Sequence, residues 1–240
     1  MTVTTVATAD AAGELVADRV LDAYVEAGDR PFHLGCPAGR TPTTTYAALG
    51  RRAAARGVDL ERLVVVLMDE YVVDGALVPR TAHFSCRRFV DEHLLPHVGP
   101  RRVLCPDPAD PVPYDAVDID LFLLASGATD GHVAFNPPGT PLDAPTRVIE
   151  LAASTRRDNL ATFPGFASID EVPRFGVSVG LATITGAQRA VLLLLGAGKH
   201  RSFERVRALA DFDPSWPASV IHRCREPWVV VDRDAAIGAS

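Results

Sequence analysis

Four stretches of this chain are apolar at every position for the length of a strand: residues 63–68 (LVVVLM), 121–125 (LFLLA), 190–195 (AVLLLL) and 228–231 (WVVV). A strand with one wet face alternates apolar and polar residues, whereas a strand apolar throughout is covered on both faces. Stretches with helical spacing lie between these runs. Residues 10–28 place Leu15, Val16, Val20, Leu21 and Tyr24 on one face, with Asp10 as the expected N-cap and Gly28 as the stop. A second helix is expected from Pro42 to about Arg56, with Thr41 as N-cap and Pro42 as first helical residue. Others are expected over 83–95 and from His200 to about Ala210, with shorter strands at 31–34 and 147–151. Residues 177–181 lead into a helix start at 182–184. Strand and helix alternate with no repeat and no long linker. The expectation is an α/β fold: a mostly parallel sheet with helices on both faces, as a single domain over residues 1–240.

The formal charge of -6 makes the chain a poor general partner for nucleic acid or an anionic membrane. An anionic ligand must then be held by local donors. No apolar run reaches the roughly 20 residues that cross a bilayer. The first residues show no basic segment ahead of an apolar one, so no secretory leader is expected. Cys36, Cys86, Cys105 and Cys224 are scattered, which suits reduced thiols in a cytoplasmic protein better than disulfides or zinc. His93 and His97 stand four apart, but Pro96 lies between them and no His-Glu-x-x-His pattern forms, so no metal is expected.

The polar clusters follow the strands. Gly39-Arg40-Thr41 precedes the second helix, where free backbone N–H groups make an anion site; an ordinary strand-to-helix turn reads the same way. Asp69-Glu70 comes directly after 63–68. One acid can cap a helix or turn while the other is held near a pocket with a raised pKa; both can equally be solvated loop acids. After 121–125 comes Ser126-Gly127-Ala128-Thr129, then Asp130, Gly131 and His132, then Asn136-Pro137-Pro138-Gly139. Lys199 follows 190–195 as a second candidate phosphate donor, and residues 154–163 form a polar stretch that faces either ligand or water. Parallel strands bring clusters at their carboxyl ends to one edge, where open α/β sheets bind ligands.

With these residues in view, the chain resembles the glucosamine-6-phosphate deaminase and 6-phosphogluconolactonase superfamily along nearly its whole length. The segments are LGCPAGRTPTTTYAAL, MDEYV, ASGATDGHVAFN, DEVPRFGVSVGLATI and LLGAGK, and MDEYV with Val-Ala-Phe-Asn after the histidine is deaminase-like. The resemblance implies a Rossmann-like fold acting on a hexose phosphate, with no metal or organic cofactor and with possible homo-oligomers. It implies that Asp69 moves a proton between C2 and C1. His132 would assist pyranose ring opening, oriented by Asp130. Gly39, Thr41 and Lys199 would hold the phosphate, and Arg40, Glu70 and Gly131 complete the expected substrate-binding set.

Two departures stand out. In the deaminases a glutamate that supports the histidine follows the signature Asn, whereas here Asn136 is followed by Pro137, leaving Asp143 or Glu70 to compensate. A phosphate-binding arginine of the family falls at Ala161, while Arg40 occupies a position that is usually glycine. Arg40 is therefore expected to supply the missing charge. Three functions fit: a sugar-phosphate isomerase or deaminase, a lactone hydrolase, and a sugar-phosphate-binding protein with little catalysis.

Overall fold

The continuous apolar runs do become the centre of a sheet. A computed structural model describes residues 1–99 and 101–238. In chain order its strands are β1 (Thr2–Val6), β2 (Phe32–Cys36), β3 (Leu63–Leu67), β4 (Asp69–Val73), β5 (Ala76–Leu77), β6 (Arg102–Leu104), β7 (Leu121–Ala125), β8 (Arg147–Glu150), β9 (Phe175–Ser178), β10 (Ala190–Leu194) and β11 (Pro227–Asp232). The α-helices are α1 (Ala9–Glu26), α2 (Thr43–Arg56), α3 (Cys86–His93), α4 (Leu95–Val98), α5 (Ala153–Thr162), α6 (Leu181–Gly186), α7 (His200–Ala208) and α8 (Arg233–Ile237). No helix among the described residues is long and apolar enough to cross a membrane.

Seven strands form one sheet in the order β1-β11-β10-β7-β2-β3-β6, and every adjacent pair is parallel. Side chains alternate between its faces. In β7, Leu121 and Leu123 join the core under α1, α2 and α3, while Phe122 and Leu124 join the core under α6 and α7. This two-sided burial is why the run has no polar position. From β2 the chain steps to β3 and β6, then returns to the other side of β2 with β7, β10 and β11. The order therefore reverses between β2 and β7, and the loops after these two strands flank a crevice.

A second sheet, in the order β5-β4-β9-β8, is antiparallel throughout. Its register pairs Asp69 with Ser178 and Arg147 also with Ser178. Asp69 and Glu70 are therefore strand residues, not loop acids. Several boundaries also move. The β-branched segment at residues 2–6 forms an edge strand on β11 that the sequence reading did not include. The N-cap of α1 is Thr8, whose Oγ1 accepts from Ala11 N–H at 3.2 Å; Asp10 sits inside the first turn, where an acid suits the helix dipole. Thr41 does not cap α2: Pro42 holds the cap position with no side-chain bond, and the Arg40 carbonyl accepts from Thr43 N–H. The helix expected over 83–95 starts later, at Ser85, whose hydroxyl accepts from Arg88 N–H, and breaks at Leu94 into α3 and α4. The polar stretch at 154–163 is the helix α5.

Candidate active site

The loops after β2, β7 and β10, the start of β4 and one face of α5 enclose a cavity of about 820 Å³. Gly39, Arg40, Thr41, Asp69, His132 and Lys199 all line it. Asp130 stands beside His132, outside the lining. Glu70 and Gly131 do not line it, and each has a different task.

Strand alternation separates the two acids. Asp69 turns to the cavity and is 6% exposed. Burial pushes its carboxyl up to about 7; a hydrogen bond from the Cys86 thiol works against the rise, and the neighbouring Glu70 charge adds to it. Glu70 turns to the start of α3. Its carboxylate accepts from Ser85 Oγ at 2.7 Å and from the N–H groups of Tyr71, Cys86 and Arg87 at 2.9 Å each. It satisfies the orphan donors of a helix terminus, which is a structural use. Gly131, at φ +70°, packs under Trp216: an added Cβ would fall 2.4 Å from Trp216 Cδ2. Its carbonyl accepts from Ala218 N–H at 2.7 Å.

The turn after β7 holds His132. Its Nδ1 lies 2.8 Å from Asp130 Oδ1, which also accepts from His132 N–H at 3.1 Å. The Ser154 hydroxyl on α5 donates to the other Asp130 oxygen. Burial disfavours the Asp130 charge, but its hydrogen bonds with His132, the field of that ring and the bond from Ser154 outweigh it. The carboxyl is held well below the usual range. Thr155 Oγ1 stands 3.3 Å from His132 Nδ1. Gly127 makes room for this pair, because a Cβ there would meet His132 Nδ1 at 2.2 Å. Pro137 offers the histidine nothing. Asn136 is turned inward, donating to the carbonyls of Val133 and Val179. Glu70 is committed to α3, and Asp143 is exposed. Ser154 and Thr155 are the groups that contact the dyad.

Arg40, Arg157, Lys199 and Arg233 bring positive charge to the lining, with Asp158, Asp232 and Asp234 among them. Lys199 Nζ donates to the Ser126 carbonyl at 2.5 Å. Burial lowers the Lys199 pKa and the Arg40 charge lowers it further, against the opposing charges of Asp158 and Asp130. Three further groups line the cavity: Arg157 and Asn159, from the polar stretch that the sequence leaves open between ligand and water, and Thr44, which the sequence does not single out. Thr44 lines the cavity in the first turn of α2, and its buried Oγ1 has no hydrogen-bond partner among the described residues. Arg157 lines the wall formed by α5, one helical turn before Ala161 and on the same face. Asn159 lines it as well. Choosing ligand over water for Arg157 and Asn159 required placing α5 against the cavity, and its polar composition hid its helical character. Among the described residues no group of three or more His, Cys, Asp or Glu is arranged to hold a metal ion.

The family model for glucosamine-6-phosphate isomerases/6-phosphogluconolactonase matches residues 4–230. A glucosamine-6-phosphate deaminase of Rhodococcus opacus (strain B4) is 36% identical over 239 residues, covering 93% of this chain and 87% of the relative. Glucosamine-6-phosphate deaminase 1 of Bacillus subtilis (strain 168) is 32% identical over 218 residues, covering 85% and 86%. A solved monomeric glucosamine-6-phosphate deaminase superposes with a TM-score of 0.87 at 26% identity, covering 98% of this chain and 99% of that one. A 6-phosphogluconolactonase from Shewanella baltica OS155 shares the fold, with a TM-score of 0.72 at 16% identity and 97% coverage of each chain. The chain belongs to the glucosamine-6-phosphate isomerase/6-phosphogluconolactonase family.

Proposed function

We propose that this chain is a cytoplasmic, single-domain enzyme that converts an amino sugar 6-phosphate to a ketose 6-phosphate with loss of ammonia. One observation carries the reading: a buried carboxyl raised toward neutrality, Asp69, and an aspartate-held imidazole, His132, share one cavity with Arg40, Arg157 and Lys199. Gly39, Arg40, Thr41 and Thr44 at the start of α2, with Lys199 and Arg157, hold the phosphate. Arg157 and Arg40 together stand in for the guanidinium absent at Ala161. The sugar then extends toward Asp69 and His132.

His132 passes the O1 proton to the ring oxygen, which opens the pyranose. Asp69 takes the proton from C2 and returns it to C1. O1 gains a proton and the nitrogen gives one up, so C2 becomes an imine carbon. Water adds there and ammonia leaves. A base near 7 suits carbon-acid chemistry at neutral pH, because both of its protonation states are accessible. Lactone hydrolysis has no carbon-bound proton to move. Incubation with glucosamine 6-phosphate, and in parallel with 6-phosphogluconolactone, separates the two. Stoichiometric ammonia and ketose phosphate support the proposal. Acid release from the lactone alone refutes it.

A further inference from the structure

Asp69 shares its face of β4 with Tyr71, two residues on. Tyr71 is 0% exposed. Its ring meets Phe84 edge-on at 5.3 Å and Phe163 at 6.1 Å, and lies tilted on Phe135 at 5.3 Å. Three aromatic neighbours fix where the hydroxyl points, and that hydroxyl is buried. Burial raises its pKa well above the usual value, while the Asn159 side chain interacts with the Tyr71 hydroxyl and works against the rise. Both residues line the cavity beside Asp69. That one contact leaves the Tyr71 O–H proton and the second Asn159 N–H without an acceptor among the described residues, and buried donors are nearly always paired, so this wall points to an acceptor supplied from outside the chain.

We propose that Tyr71 Oη and Asn159 Nδ2 form an oxyanion site. The inference rests on the isomerase/deaminase reading and deepens it. When Asp69 removes the C2 proton, the C–H electron pair becomes the C1–C2 double bond. The carbonyl π pair moves to O1, which carries negative charge until a proton reaches it. Two neutral, pre-aligned donors in a water-poor wall stabilise that charge more than they stabilise the aldehyde.

The test uses the full chain and its Tyr71→Phe and Asn159→Ala variants with two ligands. A five-carbon sugar hydroxamate 5-phosphate copies the planar anionic enediolate. 2-Amino-2-deoxyglucitol 6-phosphate has the phosphate and hydroxyls but no such oxygen. Each variant is expected to lower kcat about 100-fold and to weaken the hydroxamate by a similar factor. The alditol Kd should stay at its wild-type value. Equal losses for both ligands or an unchanged kcat would overturn the oxyanion site. If the wild type neither turns over glucosamine 6-phosphate nor prefers the hydroxamate, the underlying reading fails with it. If the wild type does both and the variants match it, the oxyanion site alone fails.

Discussion

His132 Nδ1 lies 2.8 Å from Asp130 Oδ1, and Ser154 holds the second oxygen of that carboxylate from α5. The ionised aspartate fixes Nδ1 as the protonated nitrogen and leaves Nε2 free to exchange protons with a sugar. The expected consequence is graded. Asp130→Asn loses the tautomer and should lower kcat by about 10²- to 10⁴-fold. Ser154→Ala removes one supporting hydrogen bond and should lower it only about 5-fold. Steady-state kinetics on the two variants check the order, and a Ser154→Ala loss as large as that of Asp130→Asn would show a different role for Ser154.

The raised Asp69 pKa has two consequences of determinate sign. The base is active when ionised, so kcat/KM should rise with pH through about 7. Folding carries the opposite sign. An unfolded aspartate ionises near 3.9 and the folded one at about 7, so ionisation is harder in the native state. Below pH 4 the side chain is protonated in both states and nothing is lost. The penalty grows between pH 4 and 7 and is complete above, at about 4 kcal/mol as an upper bound. Asp69→Asn should therefore raise Tm at pH 8 and change it little at pH 4, as thermal scans at the two pH values would show.

Arg40 and Lys199 line the same end of the cavity, and the Arg40 charge acts on the buried ammonium. Arg40→Ala should weaken the alditol 6-phosphate about 10- to 100-fold by calorimetry, the range for a charge-assisted contact. Arg40→Lys should recover part of that loss, since a point charge replaces a fork. An unchanged Kd for Arg40→Ala removes Arg40 from the phosphate site.

Glu70 accepts three hydrogen bonds at the start of α3 and a fourth from Tyr71 N–H in β4, and it does not line the cavity. Glu70→Ala leaves three N–H groups and a hydroxyl without that acceptor, so it should destabilise the fold by about 3 kcal/mol. The KM for sugar phosphate should stay near wild type. Chemical denaturation and kinetics on one preparation test both halves.

The central sheet was legible because burial on both faces writes itself as unbroken apolar runs, as in LVVVL and LFLLA. The antiparallel sheet was not, because β8 and β9 carry only four residues each and their partners are distant in sequence. At the site, Asp69 and Glu70 are adjacent acids that composition treats alike. Only the pairing of β4 with β9 decides which one faces the substrate. The contact between Asp130 and His132 was readable because the two stand two positions apart just after a strand. Asn159 and Arg157 were legible only as part of a polar stretch facing either ligand or water, because the helix face that decides between the two appears once the chain is folded; Tyr71 and Thr44 carry no signal of their own in the sequence.

The most direct test measures ammonia and ketose phosphate released from glucosamine 6-phosphate by the wild type and by Asp69→Asn. The expected result is equimolar release by the wild type and a loss of at least about 10³-fold in the variant. A variant that keeps the wild-type rate would contradict the assignment of Asp69 as the base that moves hydrogen between C2 and C1.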